Sequence, residues 1–507
     1  MSTTLSPAED AGRLPGGATA DPAAARAVRV VDLDLDESSG LRSPGGLGVG
    51  GPAVGGLGAG GLAAGEPGGR VLALVRLHGH PLGLVTATGA AGDTAALRRA
   101  LVAAAHRELA VPALSTATPA ARPRRVDRAR VPAGPSDAGV AAVSVVIATR
   151  DRVDALRRCL DSLLRNGHPR YEVIVVDSAP ADDAAERLLH DRFPGRVRYL
   201  REPVPGLARA RNRGLAAARG DLVAFTDDDT LADPGWIAAL ADVFAADDRI
   251  GCVTGLVLPA ELDSAALDAL ERHGGSGGLG DFGGLDFAAR TWTLDDRHPG
   301  PLLPFAAGRL GSGANMAFRA RLLRDFGGFD PATGAGTPAH GGDDLLAFLR
   351  VLLAGHALAY APDAIVWHRP RRTADAPPAQ AFRSGAGYGA CLAAALVHEP
   401  AMLPALLRRL PGGLRYAARR ARTSPDPGAA DCLGQLPPPV GRRSADPVRA
   451  PHPSGPLRSV RLRSGPRRLA RLELCGLLYG PFGYLRGRLR RVDSPARPGA
   501  APGGGAR

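Results

Sequence analysis

The run Leu222-Val223-Ala224-Phe225-Thr226-Asp227-Asp228-Asp229-Thr230 constrains this chain more than any other stretch. A short Val/Leu/Phe-rich run bounded by turn residues reads as a strand buried on both faces, the kind found in a parallel sheet covered by helices. Open α/β sheets bind ligands outside the carboxyl ends of their strands, and here that end carries three adjacent carboxylates. Such acids repel one another and are costly to bury unless a cation neutralises them. The same triplet also reads as a solvated acidic loop, or as the lead-in to the helix that Trp236 opens, so its neighbours decide.

Those neighbours alternate. Val143-Ser144-Val145-Val146-Ile147-Ala148 reads as a buried strand, followed by a helix with Leu156, Leu160, Leu163 and Leu164 on one stripe. Tyr171 to Val176 is a second such strand ending in Asp177, and Val197 to Leu200 a third. A helix carrying Ala210-Arg211-Asn212 precedes the acidic strand. Strands alternating with helices predict an α/β fold with a mostly parallel central sheet built from right-handed βαβ units. Downstream, Pro234 to Ala246 predicts a helix, Cys252 to Leu258 a strand, and Gly311 to Phe318 a loop feeding a strand. Asp343-Asp344 open a helix, and Ala357–Tyr360 and Ala364–His368 predict two closing strands. The Gly-rich span Glu261 to Pro304 suits a flap over a site.

Outside this region the organisation loosens. The 67 Gly and 45 Pro among 507 residues are too many for one compact domain. Residues 1–26 are expected to be disordered. Residues 27–115 predict a small α/β module with one strand near Val28–Leu35, a Gly-rich flexible loop over 40–69, a hairpin around His78-Gly79-His80-Pro81 and a helix capped by Asp93. A linker over 116–139 leads to the main domain at 140–375. A helical extension over 376–422, a Pro-rich linker over 423–456 and basic amphipathic helices with a disordered tail over 457–507 complete the reading.

The net charge is +13, and all 63 basic residues are Arg. Together with the Ala, Gly and Pro excess this is the usage of a GC-rich genome, so arginine abundance alone says little about phosphate recognition. Cys159, Cys252, Cys391, Cys432 and Cys475 form no CxxC pair, which argues against a zinc site or disulfide framework and fits a reducing cytoplasm. The first residues lack the apolar core of a signal peptide, and no run reaches the ~18 apolar residues of a membrane span. The expectation is a cytoplasmic protein, soluble or peripheral on the inner face of the membrane.

Asp227 and Asp229, one residue apart beyond a strand, can present oxygen ligands to one divalent ion, and oxygen ligands without a nearby thiol suit Mg²⁺ or Mn²⁺. Asp177 can accept from a base N–H, and Arg152 can pack on a base or bond phosphates; a capping Asp and a salt bridge are the structural alternatives. Asp343 and Asp344 read as a helix N-cap or as a proton acceptor. The helix dipole lowers a carboxyl pKa there, while two adjacent carboxylates push one upward. His368 at a strand end is a metal ligand or a satisfied core histidine.

The ordered set Ser144 to Thr149 with Arg152, Val175-Val176-Asp177, Gly206 through Asn212 and Gly214, Phe225 to Asp229, Asn315 to Phe318, Gly342-Asp343-Asp344 with Arg350, and Trp367-His368 resembles the family-two glycosyltransferases of the GT-A fold. The resemblance spans about residues 140–370. It implies an inverting transferase that uses a nucleotide-diphosphate sugar and a divalent metal. Carried over by position, Thr149, Arg152, Asp177 and Asp228 would hold the nucleotide, and Asp227 and Asp229 would form the DxD metal pair with help from His368. Asp344 would be the catalytic base, with Asp343 as the alternative. Asn315 and Met316 would border the sugar and acceptor. The chain departs from the family pattern at Ala148, Asp151 and Asp343, where Pro, Asn and Glu are usual, and at Leu346-Ala347, where Asp-Leu is common.

The function expected is transfer of a sugar to an acceptor hydroxyl on a lipid-linked or cell-envelope glycan or a small molecule. The segment 457–491, with ten Arg against one acid, favours an anionic membrane surface as a further partner. A nucleotidyltransferase would share the sheet and metal but would want a Gly-rich basic loop where Ala148-Thr149-Arg150-Asp151-Arg152 stands. A nucleic-acid-binding protein would want a recognisable module and more aromatics in the basic tail, so no nucleic acid is expected.

Overall fold

The computed structural model describes residues 27–36, 41–45, 47–48, 67–90, 93–109, 140–263, 267, 286–294, 310–369, 376–404, 406–408, 411 and 466–492. The segments 1–26, 116–139 and 423–456, and most of the Gly-rich spans, lie outside the described residues.

The N-terminal module is a sheet in the order β3-β2-β1-β4-β5, built from β1 (Ala27–Asp34), β2 (Arg42–Ser43), β3 (Leu47–Gly48), β4 (Pro67–Leu77) and β5 (His80–Ala90). The span 40–69, expected as a loop, thus holds two short antiparallel strands, with Arg42 opposite Gly48. Helix α1 (Thr94–Glu108) starts at Asp93, whose side chain accepts from Ala96 N at 2.7 Å, and buries Leu97, Leu101, Ala104 and Ala105 on the sheet.

The main sheet is assembled from β6 (Val143–Thr149), β7 (Tyr171–Ser178), β8 (Val197–Glu202), β9 (Leu222–Asp227), β10 (Thr230–Ala232), β11 (Ile250–Pro259), β13 (Arg290–Trp292), β14 (Asn315–Arg319) and β15 (Ala357–His368). Its order is β10-β15-β11-β14-β9-β6-β7-β8, with β13 also on β15. Strands β6 to β9, β11 and β15 run one way; β14 lies antiparallel between β9 and β11. The two expected closing strands are one twelve-residue strand, because the pairing of β15 with β11 absorbs Pro362, Asp363 and Ala364 in a register shift between Gly255 and Leu256.

Period-two alternation decides the two cores. Val145, Ile147, Val173, Val175 and Ala224 face α2 (Val153–Leu163), α3 (Ala184–Arg192) and α5 (Trp236–Ala246). Val146, Ile174, Val176, Val223 and Phe225 face the other way, onto α4 (Leu207–Ala217), α6 (Ala320–Asp325) and α7 (Asp343–Leu353). Each fully buried large side chain, Trp236 and Phe225 among them, contributes roughly 1.5–3 kcal/mol or more. Helix α4 lies so close to β6 that a Cβ on Gly214 would sit 2.3 Å from Val146 Cγ1.

The N-terminal module is fastened to this domain. Strand β1 pairs with β12 (Leu262–Asp263), Val30 and Leu74 pack with Ile365 and Trp367, and the buried Arg76 bridges Asp32 at 2.9 Å and Asp233 at 2.6 Å. Beyond β15, α8 (Ala376–His398) packs on α7, and α9 (Pro466–Val492) packs on α8, running through Pro481. Among the described residues no single helix is long and apolar enough to cross a membrane; the bent pair 378–398 and 400–408 passes that test only jointly.

Candidate active site

Sheet register gathers the strand-end residues. Thr149 lies beside Asp177, Ala148 beside Asp227, Thr226 opposite Asn315 and Thr230 opposite His368. Residues scattered over more than two hundred positions therefore meet on one edge of the sheet.

At that edge Asp228 is buried and accepts from Thr149 Oγ1 at 2.7 Å and from Arg152 Nη1; Arg152 Nη2 also donates to Asp229 Oδ2 at 2.7 Å. Burial pushes the Asp228 carboxyl up to about 7 against the pull of Arg152 and Thr149. For Asp229 burial is outweighed by His368 and Arg152, which hold its carboxyl below the ordinary range. Asp229 Oδ1 is buried and lies 3.3 Å from His368 Nε2. A carboxylate oxygen and an imidazole nitrogen thus lie side by side, both donor types that a divalent ion accepts. Among the described residues no group of three His, Cys, Asp or Glu side chains is placed to hold a metal ion. Asp227, with a third of its side chain exposed, is the remaining oxygen donor; burial and Asp229 raise its pKa against Arg211.

Asp177 ends β7 almost fully buried. Tyr199 donates to its Oδ2 at 3.1 Å, its Oδ1 has no partner among the described residues, and burial raises its pKa. A carboxylate oxygen oriented into the edge with no protein donor is suited to a ligand N–H.

On the far side, Gly342 sits at φ +88 as the N-cap of α7, and a Cβ there would meet Gly387 O at 2.2 Å, so both conformation and space demand glycine. This turn aims two adjacent carboxyls in different directions. Asp343 is buried and ion-paired at 2.7 Å to Arg211 Nη1. Arg211 is itself buried, donates to Gly313 O at 2.9 Å, lies 3.4 Å from Asp227 Oδ1 and rests over the Phe329 ring. Asp344 instead accepts from Gly313 N at 2.9 Å and Leu345 N at 2.8 Å. Burial and Asp343 push its carboxyl up to about 6, outweighing Arg211 and the two backbone donors. Gly313 thus links Asp344, through Arg211, to the first acid of the triplet.

Asn315 and Met316, expected to border the sugar and acceptor, lie buried within the sheet. Asn315 is fully buried, accepts from Trp236 Nε1 at 2.8 Å and donates to Leu256 O at 2.9 Å and Ala364 O at 2.8 Å, tying β14 to its neighbours. Met316 is buried in the core beside Phe225. Strand β14 begins at Asn315, just past the loop, and the loop residue that meets Asp344 is Gly313. Sequence reasoning also missed Arg211 as an organiser. Its signal was there: with Ala208 and Leu215 it falls on the buried stripe of α4, a charge where an apolar residue belongs.

The mostly parallel α/β sheet with its acidic carboxyl edge is the arrangement expected from the resemblance to the GT-A glycosyltransferases. Residues 144–263 match the family described as Glycosyl transferase family 2, so this segment is a glycosyltransferase family 2 domain. It is 32% identical over 249 residues to the pre-mycofactocin glycosyltransferase of Mycobacterium tuberculosis, covering 48% of this chain and 45% of that protein. It is 35% identical over 99 residues to an uncharacterised glycosyltransferase of Bacillus subtilis, covering 20% and 37%. The chain therefore spans less than half the length of either relative. Among solved structures it is similar to a mannosyltransferase from Pyrobaculum calidifontis in complex with GDP-Man and Mn²⁺, at 21% identity and a TM-score of 0.36, over 56% of this chain and 76% of that one.

Proposed function

We propose that this chain transfers a sugar from a nucleotide-diphosphate sugar to an acceptor hydroxyl in a single displacement that inverts the anomeric carbon. The observation that carries the reading is the division of labour between Asp343 and Asp344: one is ion-paired to Arg211, while the other forms no ion pair among the described residues and is raised by burial to about 6. A carboxylate so tuned is a competent general base near neutral pH, and in a displacement it stands opposite the leaving group.

The donor would lie along the strand ends. Asp177 accepts from the base, and Thr149, Arg152 and Asp228 hold the nucleotide after Arg152 exchanges its carboxylate partners for phosphate oxygens, a bidentate exchange suited to a guanidinium. Asp229 and His368, with Asp227, would hold Mg²⁺ or Mn²⁺. When bound, that ion stabilises the charge that develops on the departing diphosphate. Asp344 takes the acceptor hydroxyl proton as its oxygen bonds to the anomeric carbon and the bond to the diphosphate oxygen breaks. Arg211 holds Asp343 in an ion pair at 2.7 Å, leaving Asp344 as the base. The acceptor remains of three kinds: a glycan, a lipid-linked saccharide or a small molecule.

The test incubates the purified protein with a panel of nucleotide-diphosphate sugars, with Mn²⁺, with Mg²⁺ and with chelator, following nucleoside diphosphate release and the anomeric configuration of any product by NMR. Metal-dependent release with inversion is expected. Turnover unaffected by chelator, or by Asp229→Ala, would sink the donor-site reading.

A further inference from the structure

We propose that helix α9 seats the protein on an anionic lipid bilayer, its outward leucines entering the headgroup boundary and its arginines engaging lipid phosphates. The inference goes beyond the transferase reading and stands whether or not that reading holds.

The helix is inside out for a soluble protein. At 100° per residue, Gly476, Gly480, Gly483 and Gly487 share one stripe about 60° wide. That stripe faces the protein. A Cβ on Gly476 would lie 2.0 Å from Phe382 O, on Gly480 2.4 Å from Ala386 O, on Gly483 2.5 Å from Pro338 O and on Gly487 2.7 Å from Ala332 O. Small residues let α9 lie backbone to backbone on α8 and on the loop leading to Gly342. Because the inner stripe is glycine, five large apolar side chains are left outward: Leu474, Leu478, Phe482, Leu485 and Leu489 fall within about 80° of one another on the opposite side, each 43% to 74% exposed. A shallow apolar groove joins Leu485 and Leu489 to Val397 at the end of α8. Single exposed leucines are ordinary, but a contiguous patch of this kind marks an interaction surface.

Charge selects the occupant. Helix α9 carries seven arginines and one acid, Glu473. Arg468, Arg486 and Arg490 project on one flank of the stripe, Arg488 on the other, and all are exposed. A symmetric dimer through this face would bring the arginines of two copies together. A nucleic acid would satisfy them but offer nothing to five exposed apolar side chains. An anionic bilayer supplies both phosphates and acyl chains, and a helix with an apolar stripe flanked by arginine lies in that interface.

The experiment is co-sedimentation of the full chain with phosphatidylglycerol vesicles and with phosphatidylcholine vesicles, over a range of salt. Binding to the first and little to the second is expected. Leu478→Asp/Phe482→Asp should reduce partitioning by about tenfold or more per side chain, and Arg486→Glu/Arg490→Glu by about fivefold or more per arginine, less so at high salt. These positions are exposed, so circular dichroism and gel filtration should show both variants folded. Equal binding to both vesicles, or binding that the leucine variant leaves unchanged, overturns the proposal. So does absence of binding, whether the protein is then monomeric or dimerises through this face.

Discussion

The pair Arg211–Asp343 offers a quantitative test of how the site is built. Both side chains are only 4% exposed and are 2.7 Å apart, and Arg211 also donates to Gly313 O and lies 3.4 Å from Asp227. Replacing Arg211 with Met keeps most of the volume over Phe329 but leaves Asp343 charged and unpaired in the interior. Breaking one partner of a buried pair costs roughly 3–5 kcal/mol. Asp343→Asn alone leaves the guanidinium facing a neutral amide, at roughly 2–4 kcal/mol. The double variant removes the orphaned charge, so its cost should fall well below the sum of the single costs, by about 2 kcal/mol or more of coupling. Guanidinium denaturation followed through the buried Trp236 and Trp367 reports on this domain, and the four proteins complete a double-mutant cycle. Additivity within about 0.5 kcal/mol would refute the view that Asp343 exists to be neutralised by Arg211, and with it the assignment of Asp344 as the free carboxylate.

Other outcomes follow from the same geometry. Asp344→Asn should lower transfer by roughly 10²- to 10⁴-fold while leaving donor affinity, measured by calorimetry, nearly unchanged. With the Asp344 carboxyl raised to about 6, kcat/KM should fall as pH drops through about 6, because the protonated acid cannot accept the acceptor's proton. The stability sign is opposite: a raised carboxyl pKa favours the fold below the unfolded value near 3.8, and that contribution is lost as pH rises through about 6. His368→Ala should weaken Mn²⁺ binding, measured by electron paramagnetic resonance of free Mn²⁺, about 10-fold or more; an unchanged affinity would remove His368 from the ligand set. Gly476→Ala places a methyl against Phe382 O and should cost roughly 1–3 kcal/mol by overpacking, read as faster proteolytic release of α9.

What could be read of the fold beforehand was whatever local pattern controls. The apolar runs ending at Thr149, Asp177 and Asp227 are buried on both faces, so they carry a strand signal that depends on no distant partner. The short strands Arg42–Ser43 and Leu47–Gly48 are different. Their sequence is Gly-rich, and they are strands because the edge of β1 offers partners, a tertiary effect that propensity does not contain. The division of Ala357–His368 into two strands fails for a related reason: Pro362 punctuates the sequence, but a register shift on β11 accommodates it.

The site divides along the same line. Asp177, Asp227, Asp228, Asp229 and Asp344 are polar groups terminating apolar segments, and a strand or helix end is a position that sequence can express. Which of those groups is free and which is already satisfied is set by residues far away in the chain. Asn315 has the residue type of a ligand contact, yet Trp236, Leu256 and Ala364 occupy all of its side-chain polar atoms. Asp343 and Asp344 are identical in type and adjacent, and only the arrival of Arg211 from α4 distinguishes them. The step from an acidic motif to a proposed chemical role is therefore made by counterions: a carboxylate with a buried guanidinium at 2.7 Å holds the architecture, and its neighbour, which accepts from two backbone N–H groups and forms no ion pair among the described residues, is the one proposed to take a proton.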